Sequence, residues 1–338
     1  MHRTSPPAQA ARRACLQALI GGALATRAMH AHAQQVDAAL VVDETWTNTT
    51  RKRDLPVKLR WPDATAHPGE RPVVLFSHGL GGTRDGGAVW GEAWAAAGFV
   101  VLHLQHPGSD LAAVRTTASS FADKAGLRAA AGPAQLVARL GDVGFALDEI
   151  IRRQAARQDR WATVRPGRIG MSGHSFGAHT TLAMAGQRYP SFDGMNEPRL
   201  ASFIALSPTV PALGDAQRAF ERMHRPVLSV TGTRDQDVMG TGATPDKRRA
   251  VFAALPAGSK GHLVLQDADH MTFGGQTGRA AEVVPREPAT RDLQAAHHAL
   301  VAAITTDWWR ATLQDDAAAR TRLAAPAGLH AGDLWQHK

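Results

Sequence analysis

Cysteine occurs once and tyrosine once in the 338 residues of this chain. The single cysteine, Cys15, falls in a stretch, residues 1–33, that reads as an export signal. That stretch has four arginines (Arg3, Arg12, Arg13 and Arg27) and no acidic residue. After the Arg12-Arg13 pair comes a short, weakly apolar run, and then Ala31-His32-Ala33, the small-x-small pattern of a signal-peptidase site. The adjacent arginines fit a twin-arginine signal. Cleavage after Ala33 would leave a mature chain from Gln34 with no cysteine, hence no disulfide, thiol nucleophile or thiolate-bound metal. Long apolar runs are also lacking: none after the signal reaches the ~18 residues of a membrane-crossing helix. A soluble periplasmic or extracellular protein is expected, with no stable membrane insertion.

The formal charge of +8 suggests a nucleic-acid partner until the signal is set aside. Its four arginines account for half of the excess, leaving 34 basic against 30 acidic residues, or +4. The basic runs that remain, Arg51-Lys52-Arg53 and Lys247-Arg248-Arg249, have no interleaved aromatic residues and read as solvated surface. No nucleic-acid partner is expected. With 44% hydrophobic and 20% charged residues, the chain has the balance of a folded domain with a large core.

Short β-branched runs alternate with helical patterns. Residues 39–42 and 55–61 suggest an antiparallel pair around a polar turn. Residues 73–77, 99–104, 168–172, 202–206, 227–231 and 262–265 read as buried strands. Helices are expected over residues 88–97, 133–158, 176–187, 216–223, 245–255 and 289–313. The third-and-fourth spacing of Leu136, Leu140, Val143, Leu147 and Ile151 marks the second of these as amphipathic. This rhythm predicts an α/β fold: a mostly parallel sheet of about eight strands with helices on both faces, in a single domain over residues 34–338. Ligands of such sheets sit beyond the carboxyl ends of the strands.

Beyond the strand at 168–172 stands Gly173-His174-Ser175-Phe176-Gly177, a G-x-S-x-G followed by an alanine-rich helix. A strand that turns at once into a helix thrusts the middle residue up from the sheet, and glycines two residues away on each side relieve the crowding. Ser175 is therefore the candidate nucleophile. The strand at 73–77 runs into His78-Gly79-Leu80-Gly81-Gly82, whose glycines allow the chain to pass close to a substrate. The amides of Leu80 and Phe176 are the candidate oxyanion donors. A serine nucleophile needs a base, and the base an orienting acid. His270 follows the strand at 262–265, and Asp235 lies at the bend after 227–231, favoured over Asp237. Gly81, His106 and His174 are candidate substrate contacts, and His78 reads as a structural residue. His297 and His298 are neighbours on one helix and face different ways, so no metal is assigned, and no cofactor.

The order Ser175, Asp235, His270 and the stretches VVLFSHGLGG (73–82), GFVVLHLQH (98–106), RLGDVGFALD (139–148) and RIGMSGHSFG (168–177) resemble the α/β-hydrolase superfamily. More narrowly, they resemble bacterial platelet-activating-factor acetylhydrolase and dienelactone-hydrolase-like esterases, over about residues 39–313. In the acetylhydrolases the acid follows the strand after the nucleophile helix. Here that strand leads into Leu206-Ser207-Pro208-Thr209, so the acid is expected at Asp235 instead. Dienelactone hydrolases proper use cysteine where this chain has serine.

The resemblance implies a serine hydrolase that cleaves carboxylic esters through an acyl-enzyme. Its substrate is a small-molecule, lipid or polymer ester. An amidase or peptidase and a cutinase-like polyesterase use the same triad and stay open, as does a non-catalytic binding protein on this fold. Residues 106–132 have no place in the sheet; two readings stay open, part of a pocket rim with His106, Leu111 and Phe121 as contacts, or a surface excursion. The tail after Gln314 is expected to wrap the surface.

Overall fold

The protein is described here by a computed structural model covering residues 40–118, 123–190, 192–238 and 240–338. The export segment and Phe121 lie outside these residues. Nine strands are described: β1 (Leu40–Asn48), β2 (Arg53–Trp61), β3 (Arg71–Ser77), β4 (Val100–Leu104), β5 (Val164–His174), β6 (Leu200–Leu206), β7 (Val227–Arg234), β8 (Lys260–Asp269) and β9 (Leu334–His337). They form one sheet in the order β1-β2-β4-β3-β5-β6-β7-β8-β9. The six strands from β4 to β8 run parallel, and antiparallel strands close both edges.

The helices are α1 (Ala88–Ala96), α2 (Leu111–Thr117), α3 (Lys124–Ala130), α4 (Pro133–Ala155), α5 (Phe176–Ala185), α6 (Ala216–Phe220), α7 (Pro245–Ala254), α8 (Pro288–Leu313) and α9 (Ala317–Ala324). Strand alternation sorts side chains to two faces. Val73 and Leu75 of β3 join the core that α4 and α5 cover, with Leu136, Leu140, Val143 and Leu182. Val74 and Phe76 join the opposite core, packed by Trp90 and Trp94 of α1 and Trp308 and Trp309 of α8. No helix of the described residues is long and apolar enough to cross a membrane.

The structure corrects the expected boundaries in several places. β1 runs through Asn48 and pairs with β2 along its whole length. On α4 it is Ile150, not Ile151, that is fully buried, because a straight helix drifts from the exact four-residue step. The tail does more than wrap the surface. After α9 it returns as β9, and Leu334 to His337 pair with Val264 to Gly261 of β8. Residues 106–132 carry α2 and α3, capped by the carboxylates of Asp110 and Asp123. Val114, Leu127 and Ala130 form a small core of their own beneath Leu80.

The chain leaves β3 toward β4 on one side and leaves β5 toward β6 on the other. A crevice therefore opens at the carboxyl ends of β3 and β5, where open α/β sheets bind their ligands.

Candidate active site

Ser175 sits at the junction of β5 and α5 with φ 55° and ψ −113°, a strained conformation for a residue with a side chain. The two glycines are required by contact. A Cβ on Gly173 would lie 2.3 Å from the carbonyl oxygen of Gly177, and one on Gly177 only 1.9 Å from that of Ser77. The strain presents the Ser175 hydroxyl to His270, with Oγ 2.9 Å from Nε2. His270 opens a short 3-10 turn (His270–Gly274) directly after β8. Asp269 caps this turn by accepting from the Thr272 amide, and is itself held by Arg286. On the far side of the imidazole, Nδ1 lies 2.8 Å from Oδ1 of Asp235. The structure thus brings Ser175, His270 and Asp235 into one hydrogen-bonded line.

Asp235 is fully buried just past β7. Burial alone would push its carboxyl pKa up. The Arg248 guanidinium, the bond to His270 and the Ser207 hydroxyl outweigh that and hold it below the ordinary value. The Ser207 and Thr231 hydroxyls donate to Oδ2, the latter at 2.8 Å, while Arg248 Nε lies 2.9 Å from Oδ1. Arg248 also donates to the carbonyls of Ser207 (2.7 Å) and Asp235 (2.9 Å). The residue expected to sit in solvated surface is thus 4% exposed and welded to the candidate acid. Arg51 and Arg53, of the other basic run, both reach the buried carboxylate of Asp142.

The loop after β3 passes close to Ser175: a Cβ on Gly79 would meet the serine Cβ at 3.5 Å. Leu80 and Phe176 both line the cavity beside Ser175. Two side chains set the loop's peptide planes. His78 Nε2 accepts from the His106 amide at 3.0 Å, so its proton is on Nδ1, which donates to the Gly79 carbonyl at 2.6 Å. Arg139, fully buried, donates to the His78 carbonyl at 2.6 Å and reaches toward that of Gly79. In a trans peptide the Gly79 carbonyl and the Leu80 N–H point opposite ways. Fastening the carbonyl toward His78 and Arg139 therefore turns the Leu80 N–H away from them. Arg139 also lies 4.3 Å from the Phe176 ring centroid.

Three expected substrate contacts are not at the cavity. His106 is fully buried, donating from Nδ1 to Asp142 at 3.0 Å and accepting from Ser77 Oγ at 3.0 Å. Burial and the nearby Arg139 pull its pKa down to about 4, so it is neutral. His174 packs its ring 4.7 Å from that of His270 and donates to the His270 carbonyl at 2.9 Å, steadying the turn that carries the imidazole. Burial brings its pKa down to about 3. Gly81 donates its amide to Ser109 and lies against Val114. None of the three is among the residues that line the cavity, which position in sequence does not reveal. Leu111, the other candidate rim contact, is outside the lining as well.

The cavity holds about 580 Å³. Leu80, Leu136, Val137, Phe176, Phe192 and Val238 make most of its wall apolar, with Ser175 and His270 among the polar exceptions. Ala131 and Gly132, at the end of the stretch read as rim or surface excursion, line it too. α3 is tied to the segment of the cavity-lining Val238: Lys124 donates to the carbonyl of Val238 and Arg128 to that of Gly240. Asp237, the acid not favoured, lines the cavity and accepts from the Gly242 amide at 2.5 Å. Among the described residues there is no group of three or more His, Cys, Asp or Glu side chains suited to a metal ion.

The fold, with Ser175 at a strand-to-helix elbow, is that of an α/β-hydrolase. Residues 37–130 match the family of platelet-activating factor acetylhydrolase, isoform II. The matched region spans β1 to β4, the loop with His78 to Gly82, and α2 and α3. It stops before Ser175, Asp235 and His270. No curated protein matches the chain. The match supports a hydrolase of the acetylhydrolase and esterase type acting on small-molecule or lipid esters.

Proposed function

We propose that the protein is a serine hydrolase that cleaves carboxylic esters in two acyl-transfer steps. One observation carries this reading: the continuous line Ser175 Oγ, His270 Nε2, His270 Nδ1, Asp235 Oδ1, with separations of 2.9 and 2.8 Å, at the wall of an apolar cavity. His270 takes the Ser175 proton as Oγ attacks the ester carbonyl. The amides of Leu80 and Phe176 stabilise the oxyanion. Asp235 holds the imidazole in the tautomer that leaves Nε2 free to accept, and stabilises the imidazolium that forms. His270 then gives the proton to the departing alkoxide. Water, deprotonated by the same imidazole, attacks the acyl-enzyme and regenerates Ser175.

The largely apolar wall favours an ester with a neutral acyl portion. A Ser175→Ala variant is expected to lose about 10⁶-fold in kcat and all covalent labelling by a fluorophosphonate. Ordinary activity on short p-nitrophenyl esters in that variant would refute the proposal. Parallel assays on the matching anilides decide between esterase and amidase, and the esters are expected to react far faster. We assign residues 1–33 as an export signal. N-terminal sequencing of the exported protein is expected to start at Gln34.

A further inference from the structure

The cavity continues beyond the reacting groups. His179, Tyr189, Pro190, Thr209, Thr241 and Ala243 wall both the main chamber and a second lobe of about 320 Å³. Its outer wall is the run Val210-Pro211-Ala212-Leu213 after β6, and Leu213 is 76% exposed at that edge. Two polar atoms of residues lining this apolar lobe are buried without a hydrogen-bond partner among the described residues: Thr209 Oγ1 and Gln187 Nε2. Gln187 is fully buried. The Tyr189 hydroxyl lies 3.2 Å from Gln187 Oε1 and 3.3 Å from the His179 carbonyl, and Gln187 Nε2 is left with no partner among the described residues.

Buried donors are paired in nearly all native structures, and leaving one unpaired is costly. Two in one lobe call for a ligand group that accepts. Its charge follows from the surroundings. The one charged side chain lining the lobe, Lys247, is exposed and already donates to the Gly242 carbonyl at 2.8 Å. An anion would therefore meet an apolar wall with no buried counter-charge. A neutral carbonyl fits both the donors and the wall.

We infer that this lobe is a second subsite for a neutral carbonyl that the substrate carries apart from its scissile ester. The carbonyl would accept from Gln187 Nε2 and Thr209 Oγ1. The substrates so selected are diesters and oligoesters in preference to plain fatty acyl esters. The inference rests on Ser175 acting as proposed above.

The test uses the purified full chain and three p-nitrophenyl esters of matched, graded chain length. The acyl chain ends in a methyl group, in a methyl ester or in a hydroxyl. At the length that spans the two chambers, kcat/KM for the ester-terminated substrate is expected to exceed that of the plain one by about tenfold, as one or two neutral hydrogen bonds supply. Thr209→Val and Gln187→Met are each expected to bring that ratio down toward one. A ratio within about twofold of one at every length would overturn the subsite, since a paired donor discriminates by more than that. So would preference for the hydroxyl-terminated ester, or a ratio that survives both substitutions. Hydrolysis of none of the three would overturn the Ser175 reading itself. Brisk hydrolysis without discrimination would overturn the subsite alone.

Discussion

Replacing Arg139 tests how the loop carrying the proposed oxyanion donor, Leu80, is held. Its guanidinium is fully buried, and burial lowers its pKa to about 9, which still leaves it charged at neutral pH. It donates to the His78 carbonyl (2.6 Å), Ser109 Oγ (2.8 Å) and Ser77 Oγ (3.3 Å). Arg139→Met strands at least the His78 carbonyl, at a cost of about 1–3 kcal/mol, and loses the contact with the Phe176 ring, about 1 kcal/mol. A loss of about 3 kcal/mol in a urea titration is therefore expected. Catalysis should suffer separately. Removing one oxyanion donor outright costs about 10²–10³ in kcat. The Gly79 carbonyl stays tethered to His78 in the variant. The loss in kcat is therefore expected at the lower end, about 10²-fold, with KM little changed. Arg139→Lys keeps the charge but not the fork of donors, and should lie between, at about tenfold. Steady-state kinetics on a short p-nitrophenyl ester reads both. A Met variant that is destabilised as expected yet keeps wild-type kcat would show that Arg139 supports the fold and does not position the amide.

Other consequences are as direct. Ser207→Ala removes one donor to Asp235 and leaves Thr231 and Arg248 in place, so kcat should fall about tenfold with KM unchanged, a cost near the low end for hydrogen bonds to charged groups. Gly177→Ala places a methyl group 1.9 Å from the rigid Ser77 carbonyl and should cost about 3 kcal/mol or more in urea melts. Gly167→Ala, with nothing within 4 Å, should be nearly silent in the same assay. Asp142 has its pKa lowered from 3.8 to about 2, because bonds from His106 and Arg53 outweigh its burial. A carboxylate with a depressed folded-state pKa contributes stability that is present above about pH 4 and is lost as pH falls toward 2, here about 2 kcal/mol. Asp142→Asn should abolish that increment in acid melts. His103, His106 and His262 are buried with pKa values lowered to about 4, chiefly by desolvation. A histidine lowered in this way stabilises above its unfolded pKa of about 6.5 and loses that contribution as pH falls through about 4. The urea midpoint should therefore drop steadily over that window, and a flat midpoint between pH 7 and 5 would contradict the burial.

The legible part of the site was the part that constrains backbone. Glycines two residues on either side of Ser175 are needed because their neighbours are carbonyl oxygens, and that requirement is written in the residue types. Asp235 and His270 could be placed because each follows a β-branched run at the rim where parallel strands end. Side chains that pack behind the loops were not legible. His106 and His174 lie beside functional segments in sequence, but which side of a strand end a ring takes depends on partners such as Asp142, 36 residues on. Arg248 looked like surface because it stands between Lys247 and Arg249. The available signal was its three- and four-residue spacing from Val251 and Phe252, which share the buried face of α7. β9 was missed because a four-residue edge strand with mostly exposed side chains has no hydrophobic pattern.

The position after β6 bears on how the proposed acid, Asp235, can sit after β7. The Ser207 side chain is buried beside the imidazole, with Oγ 3.2 Å from His270 Nδ1. A carboxylate there would face Asp235 across the same nitrogen, and two charged carboxylates in one buried site cannot both stay ionised. A serine avoids that conflict and donates to the acid instead. Arg248 braces this arrangement from behind, because its fork binds the backbone of both strand ends and the Asp235 carboxylate together. Arg139 plays the corresponding part at the loop of the proposed oxyanion donor, Leu80. Loops beyond a sheet have no ladder to satisfy their carbonyls, and here buried guanidinium groups take that role. A carboxylate introduced at Ser207 would need Arg248 to neutralise two acids at once, so the two loops are expected to tolerate substitution only in concert.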